Sequence, residues 1–441
     1  MKKRAKQVFY LVLLCFFLFS ACSKTTPDET APLETAQPAF SSSEEKETLP
    51  EKVKVKLPVI AKPLTRAEVD AIPVAKPGMS EEELRKICVE YMMMQKRVVW
   101  TPDDTLKYEC SYAGAADSAG NLTLPAGLVY RGMPYTGAAL DLQCFLDFYD
   151  EKTGVLNVSR YGMNVNAFVG NTCSTSTFWG WARISSKVYL IGVPCINAAN
   201  GYTPIGPIRY DLTQTSFGMG DDTTVIVPAN GEQTMFECYA LLKPASGLMT
   251  FRQGTTGHVR MAISNADVVR LPDGTIDGEK SSVHCAEQLS SWHDEDAGEN
   301  GKTNAIGFLD REYTFNQLYK SNYIAFEIPE LCGKAEVEEA WVKLVLPEED
   351  PDDLLKGTIS SNYAISRVDA VFCDQNGEEV YRAFKFGYAY KDRARNVEVK
   401  TVSPAATLSR KLEKNTPYTV TFSVRLGNGE TVTLDPISFE L

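Results

Sequence analysis

The pattern of hydrophobic and polar positions predicts a β-rich region at the end of the chain. Residues 419–426 alternate strictly between polar and apolar side chains, which is the period of a half-buried strand. Asn-Gly pairs at 376–377 and 428–429 are typical of tight hairpin turns. Further strands are predicted over Trp341–Leu346, Ile365–Cys373 and Val380–Phe386. We therefore predict an all-β sandwich domain over residues 334–441.

Earlier in the chain the pattern has a helical period. Ser80 and Glu83 form a capping-box pair, and apolar side chains then recur every three or four residues, so we predict a helix from Glu81 through Lys96. Further helices are predicted within 138–149 and 174–186. Strands are predicted over Val188–Val193, Thr223–Val227 and His258–Ile263. This mixture predicts an α+β domain over residues 65–333, with an N-terminal helical extension.

The first residues predict export and a lipid anchor. A basic start is followed by an apolar run, Val8–Phe19, which is shorter than a membrane-spanning helix and is typical of a signal peptide. The sequence from Leu18 to Cys22 looks like a bacterial lipoprotein processing box, although Phe19 stands where an aliphatic residue is usual. We expect residues 1–21 to be removed and Cys22 to be lipidated; ordinary secretion is the alternative.

Residues 22–64 are rich in proline, threonine, serine and glutamate, and this composition predicts a flexible linker. We therefore expect an extracytoplasmic protein that is lipid-anchored to the bacterial cell membrane and contacts the membrane only through that anchor. The net charge is −12, with 57 acidic against 45 basic residues. Nucleic acid is not expected as a partner, because binding phosphates requires clustered lysine and arginine.

A cysteine and a histidine are the candidates for nucleophilic chemistry. Cys173 follows a small polar turn and precedes an aromatic stretch that can be helical, and a thiol at a helix N-terminus has a lowered pKa. His258 begins an apolar strand in a chain that has only three histidines, and an imidazole is the usual base for such a thiol.

The strand-like run over residues 282–288 offers two acceptors for an imidazole N–H. Strand alternation places Glu287 on one face and Gln288 on the other. Either side chain could accept a hydrogen bond from the imidazole. We favour Glu287, because an anion supports an imidazolium better than an amide does. A zinc site built from His284, Cys285 and His293 is disfavoured, because the spacing matches no standard ligand pattern.

Four motifs in the same order resemble the NlpC family of bacterial cell-wall cysteine peptidases. They are Gly132-Met133-Pro134-Tyr135, Asn171-Thr172-Cys173-Ser174, Pro244–Leu248 and Gly257-His258-Val259. The resemblance covers about residues 125–330. It implies a papain-like NlpC-type core in which Cys173 is the nucleophile, His258 is the base and Tyr135 lines the pocket.

The sequence also departs from the family's pattern. Thr172 stands in place of the aspartate that precedes the family's nucleophile, and Thr175 stands in place of a glycine. In the family that aspartate helps to bind the free amine of a stem peptide, whereas Ser174 is retained here.

By this resemblance we expect hydrolysis of amide bonds in peptidoglycan stem peptides, with no metal and no cofactor. The expected catalytic residues are Cys173, His258 and Glu287, and the expected substrate contacts are Tyr135, Ser174 and Gln288. One alternative is a catalytically degenerate surface lipoprotein that binds a wall fragment or a protein partner. In either case the C-terminal β domain is a candidate contact for protein or wall. An acyl-transfer enzyme on the same fold is a further alternative.

Overall fold

The protein combines helices and sheets, with 23% helix and 33% strand, which is compatible with the predicted α+β class. The computed structural model describes residues 57–109, 118, 120–158, 170–188, 202–206, 231–250, 257–296, 302–349, 353–387 and 395–440. Outside these ranges lie the predicted signal peptide, Cys22 and most of the predicted linker. The ranges also exclude the whole of the predicted strand Thr223–Val227 and all but the first residue of the predicted strand Val188–Val193. Across the described part, no helix has both the length and the apolar character that a membrane crossing requires.

The mixed region is built on one large sheet with helices packed against it. The helices are α1 (Arg66–Asp70), α2 (Glu81–Arg97), α3 (Leu142–Leu146), α4 (Cys173–Ala182), α5 (Glu232–Tyr239) and α6 (Phe315–Lys320). The strands are β1 (Val99–Pro102), β2 (Leu106–Glu109), β3 (Asn121–Leu124), β4 (Tyr130–Arg131), β5 (Tyr149–Asp150), β6 (Val155–Leu156), β7 (Thr203–Pro204), β8 (Gly247–Thr250), β9 (His258–Ala262), β10 (Ser282–Asp296), β11 (Lys302–Thr314) and β12 (Ile324–Glu327). The ten-stranded sheet has the order β5-β6-β1-β4-β11-β10-β9-β8-β12-β7, and β2 and β3 form a separate hairpin.

The predicted helix over residues 81–96 is confirmed as α2. Ser80 and Glu83 cap it reciprocally: the Glu83 N–H donates to Ser80 Oγ at 3.3 Å, and the Ser80 N–H donates to Glu83 Oε2 at 2.8 Å. Its apolar stripe is buried against α4 and the sheet. Gly180 permits this close packing, because a Cβ there would lie 2.8 Å from Met261 Cε. Helix α4 is thereby held tightly against α2 and β9.

The C-terminal region contains two sheets that contribute to one hydrophobic core. The strands are β13 (Val342–Val345), β14 (Thr358–Ser361), β15 (Ile365–Cys373), β16 (Glu379–Phe386), β17 (Asn396–Glu398), β18 (Pro417–Leu426), β19 (Thr431–Thr433) and β20 (Ile437–Glu440). The first sheet has the order β13-β14-β17, and the second has the order β16-β15-β18-β19, with β20 also paired to β18. The strand pattern predicted for residues 419–426 is confirmed, since the four apolar side chains are buried.

The expectation of an all-β region at the C-terminal end was wrong in one respect. Two short helices, α7 (Val399–Val402) and α8 (Ala405–Lys411), lie between β17 and β18. They bury Val399, Val402 and Leu408 in the same core as the strands. The region is therefore β-rich, and these helices cover part of its apolar surface.

A charged cluster joins α3 to the second C-terminal sheet. Asp147 is the C-cap of α3 and contacts three guanidinium groups: Arg66 at 2.9 Å, Arg367 at 2.6 Å and Arg425 at 3.1 Å. The arginines come from α1, β15 and β18. Because Asp147 is largely removed from solvent, its charge is compensated mainly by these arginines.

A buried acid lies near the boundary of the two regions. Glu330 Oε1 accepts a hydrogen bond from Ser185 Oγ at 2.8 Å, whereas Oε2 is buried and has no partner among the described residues. Burial raises the pKa of Glu330 to about 7, against an ordinary value of 4.5, although the Ser185 hydrogen bond opposes the shift. The fold therefore holds this carboxyl protonated at pH values where the unfolded chain would release the proton.

We expect Glu330→Gln to make stability less dependent on pH. As the pH rises from 4.5 to about 7, the unfolded chain loses the Glu330 proton first, so the wild-type protein loses stability over that window. An amide has no such proton. The free energy of unfolding should be measured with urea at pH 5 and at pH 8. Between these two pH values it should fall by about 2 kcal/mol more in the wild type than in the variant. Equal pH dependence in the two proteins would contradict this explanation.

Candidate active site

The motif around Tyr135 lies beside the loop that precedes α4. The Asn171 N–H donates to the Pro134 carbonyl at 3.1 Å, and the Thr136 N–H donates to the Asn171 carbonyl at 3.0 Å, forming a parallel bridge. Gly170 permits this approach: its φ is +91°, and a Cβ there would lie 2.1 Å from the Pro134 carbonyl oxygen. Two motifs that are about 35 residues apart in sequence are therefore neighbours in the fold.

Cys173 is the first residue of α4, as the sequence predicted. Thr172 is the N-cap, and its backbone N–H donates to Thr175 Oγ1 at 2.5 Å. Thr175 thus supplies one half of a capping box, which gives a structural reason for a hydroxyl at this position. The thiol is thereby placed at the positive end of a ten-residue helix, which favours its ionised form.

The thiol and the imidazole lie close enough to shift each other's pKa. Burial alone would raise the pKa of Cys173, but the hydrogen bond and charge of His258, with backbone N–H bonds from Val259 and Ser174, bring it below the ordinary value of 9.0. Burial would lower the pKa of His258, whereas its bonds to Cys173 and Glu287 outweigh burial and raise it to about 9. Both shifts therefore favour a thiolate beside an imidazolium.

Glu287 orients the ring from the other side. His258 Nε2 lies 2.6 Å from Glu287 Oε2, which leaves Nδ1 as the ring nitrogen for the sulfur. Arg260 Nε donates to the same Oε2 at 2.7 Å, and the Tyr313 hydroxyl donates to Oε1. Burial would raise the pKa of Glu287, but the His258 hydrogen bond and the Arg260 charge lower it. The carboxylate therefore remains ionised although it has no exposed surface.

The pair is enclosed, and most of its accessible surface belongs to the imidazole. Cys173 is 5% exposed, and the His258 side chain is 18% exposed. Ser174 follows the nucleophile, and its hydroxyl lies 3.3 Å from Thr172 Oγ1. Tyr135 is half-buried at the edge of the core. The expected substrate roles of Ser174 and Tyr135 stay predictions.

The expected substrate contact at Gln288 is corrected. Its Nε2 donates to the Met133 carbonyl at 2.9 Å, and the side chain is wholly buried. The strand pairing explains this position: β10 turns Glu287 towards His258 and Gln288 towards the opposite face. Gln288 therefore belongs to the core packing, and Glu287 is the partner of the imidazole.

No metal centre is present in the described part of the chain, where no group of three or more potential ligands is brought together. His284 is exposed on β10, and the side chain of His293 lies outside the described ones. The structure describes seven cysteine thiols, those of Cys88, Cys144, Cys173, Cys238, Cys285, Cys332 and Cys373. Five of these thiols are buried, as expected for small apolar side chains.

Sequence reasoning missed the residues that surround Glu287. Arg260 could have been predicted from the sequence, because a residue two positions after His258 lies on the same face of the strand. Tyr313 and Arg311 could not have been predicted, because they reach the site only through the β10–β11 register, which pairs Val283 with Tyr313 and Cys285 with Arg311.

We expect Cys173 to be the most reactive described thiol near neutral pH. The lowered pKa of Cys173 and the raised pKa of His258 predict that the ion pair persists up to about pH 9. At pH 7, iodoacetamide should alkylate Cys173 at least about tenfold faster than Cys332 or Cys373, as measured by peptide mass spectrometry. Alkylation of all three at similar rates would contradict the ion pair.

Comparison with protein-family models, with curated proteins and with solved structures gave no match. The site itself defines a class of arrangement, a cysteine–histidine–carboxylate constellation with the thiol at a helix N-terminus.

Proposed function

We propose that this protein is a cysteine peptidase or amidase with a papain-like, NlpC-type core. The observation that carries the proposal is the chain of contacts through His258. One ring nitrogen lies 2.6 Å from Glu287 Oε2, and the imidazole lies close enough to the Cys173 thiol that each shifts the pKa of the other. Nucleophile, base and orienting group are the three parts that thiol-dependent amide hydrolysis requires.

In the proposed mechanism the Cys173 thiolate attacks the amide carbonyl, forming a carbon–sulfur bond and a tetrahedral oxyanion. Backbone N–H groups in the first turn of α4, which have no partner within the helix, would stabilise that charge. His258 then gives its proton to the leaving amine as the carbon–nitrogen bond breaks. Water, deprotonated by His258, next attacks the thioester, and cleavage of the carbon–sulfur bond releases the acid and the thiol. Glu287 holds the ring in position through both steps.

Peptidoglycan stem peptides are the proposed substrates. This choice is supported by the four family-like motifs, and by the bridge that holds Tyr135 beside Asn171 next to the nucleophile. It is also supported by the predicted lipid anchor at Cys22 and the linker after it, which would keep the enzyme at the membrane surface near the wall. Thr172 in place of the family's aspartate implies a different contact to the peptide amine.

A second function, binding of a wall fragment or protein partner without catalysis, is favoured by one observation. Cys173 is only 5% exposed, so the sulfur presents little surface to a substrate. The β-rich C-terminal region would then be a candidate contact surface.

The deciding experiment is incubation of the purified protein with peptidoglycan, followed by mass spectrometry of the released peptides. The proposal predicts new amine and carboxyl ends with the untreated protein. It also predicts that prior alkylation with iodoacetamide abolishes them. Absence of new ends, together with sedimentation of the protein with peptidoglycan, would support the binding function. Products joined to an added amine would instead indicate acyl transfer.

A further inference from the structure

We propose that Arg260 is a positioning residue that balances the charge of Glu287, so that the two side chains together act on His258 as a nearly neutral hydrogen-bond acceptor. The proposal rests on the proposed thiolate–imidazolium site and deepens it. A carboxylate in this position would otherwise bring a full buried negative charge to the imidazolium. Arg260 thus gives a carboxylate the electrostatic character of an amide while keeping its strong acceptor geometry.

The first support is that Arg260 and His258 bind the same oxygen atom. Arg260 Nε lies 2.7 Å and His258 Nε2 lies 2.6 Å from Glu287 Oε2. The β9–β10 pairing places these groups on one face, because Cys285 pairs with Ala262 and the register then brings Glu287 opposite Arg260. The guanidinium therefore draws charge from the oxygen that holds the imidazole.

The second support is that Arg260 is confined to this place. Its Cζ lies 3.7 Å from the ring centroid of Tyr313 and 4.2 Å from that of Tyr323. Both rings are buried, and the Arg260 side chain is 9% exposed. Cation–π contacts with two buried rings disfavour rotation of the Arg260 side chain towards solvent. Tyr313 also donates its hydroxyl to Glu287 Oε1, so one ring supports both members of the pair.

The third support comes from the other groups around Glu287. On β11, Tyr313 donates a neutral hydrogen bond, and Arg311 Nε lies 3.6 Å from Oε1 but is 51% exposed, so water screens its charge. The remaining titratable groups near the site are Cys285 on β10, Tyr323 before β12 and Cys173 on α4. Among the described residues, Arg260 is therefore the principal buried counter-charge to Glu287 apart from His258 itself.

The consequence concerns how readily His258 exchanges its proton. An uncompensated carboxylate would hold the imidazolium proton too strongly for efficient transfer to a leaving amine. A cation without the carboxylate would have the opposite effect and destabilise the imidazolium. The two single substitutions should therefore change the thiolate–imidazolium pair in opposite directions, and the double substitution should largely cancel them.

The test is the pKa of His258, measured from the pH dependence of its imidazole NMR signals on the full chain with labelled histidine. In Arg260→Met this pKa should rise by about one unit, because the carboxylate then stabilises the imidazolium more strongly. In Glu287→Gln it should fall by about one unit or more, because the Arg260 cation is then unbalanced. The double variant Glu287→Gln/Arg260→Met should lie within about half a unit of the wild type.

Two controls separate this role from simple packing. Arg260→Lys keeps the charge and should keep the wild-type pKa of His258, whereas Arg311→Met removes an exposed charge and should change that pKa little. If Arg260→Met does not fold, Arg260→Lys and the double variant still test the proposal. Shifts of the same sign in both single variants, or a double variant as displaced as Glu287→Gln alone, would overturn it.

The titration of His258 does not depend on cleavage of peptidoglycan. Opposite changes in the His258 pKa without any peptide release would leave the role of Arg260 intact and refute the hydrolase. Peptide release with the same His258 pKa in all variants would do the reverse.

Discussion

Replacing Cys173 with alanine is expected to lower kcat/KM for stem-peptide hydrolysis at least about 10⁴-fold. Among the described residues at the site, the thiolate is the group that can form the covalent intermediate, since His258 and Glu287 are already bonded to one another. The fold should be retained, because the methyl group of alanine fits where the larger sulfur side chain was, and a buried charge is removed. Thermal unfolding should therefore occur at a similar temperature in both proteins.

The matched control for this variant is Cys332→Ala. Cys332 is a half-buried thiol whose Sγ donates to the Pro329 carbonyl at 3.5 Å, and it lies outside the site. Its replacement should leave kcat/KM unchanged. Residual peptide release by Cys173→Ala at a tenth of the wild-type rate or more would exclude Cys173 as the nucleophile.

Replacing His258 with alanine is expected to lower kcat/KM about 10³-fold and to slow alkylation of Cys173 at pH 7 about 100-fold. The imidazole supplies both the hydrogen bond and the charge that lower the pKa of Cys173, whereas burial raises that pKa. Without the ring, burial and the backbone N–H groups remain, and the thiol is mostly protonated at pH 7. Activity and thiol reactivity should therefore fall together.

The control for this second variant is His284→Ala. His284 is exposed on β10, on the face opposite Glu287. Its removal should change neither the alkylation rate of Cys173 nor peptide release. If His258→Ala lost activity but kept rapid alkylation of Cys173, the ring would act only on the leaving amine, and the ion pair would be refuted.

Much of the local structure follows from short-range pattern. The capping pair at Ser80 and Glu83 predicted where α2 begins, because the first N–H groups of a helix need acceptors that only certain side chains provide. The alternation over residues 419–426 predicted a strand with one buried face, because a strand's side chains point alternately to opposite sides. The short helices α7 and α8 escaped prediction, since helices of four and seven residues carry too little periodicity to be seen.

The candidate site was predictable where single elements determine it. Local patterns place Cys173 at the start of a helix and His258 at the start of a strand. They also place Glu287 on the same strand face as Cys285. Gln288 was assigned wrongly to the substrate side, because alternation separates the two faces of a strand but does not say which face meets the site. The packing of α4 onto β9 and β10 decides that question.

The sequence by itself determined the classes of element and the chemical identity of the candidate nucleophile, base and carboxylate, because these depend on residue type and on spacing within one helix or strand. Only the tertiary structure decided that His258 lies between Cys173 and Glu287, that Arg260 shares an oxygen with the imidazole, and that Asp147 meets three arginines from three elements. These contacts join residues that are far apart in the chain. Strand register and helix packing, which are set by burial of the whole core, determine which of them meet.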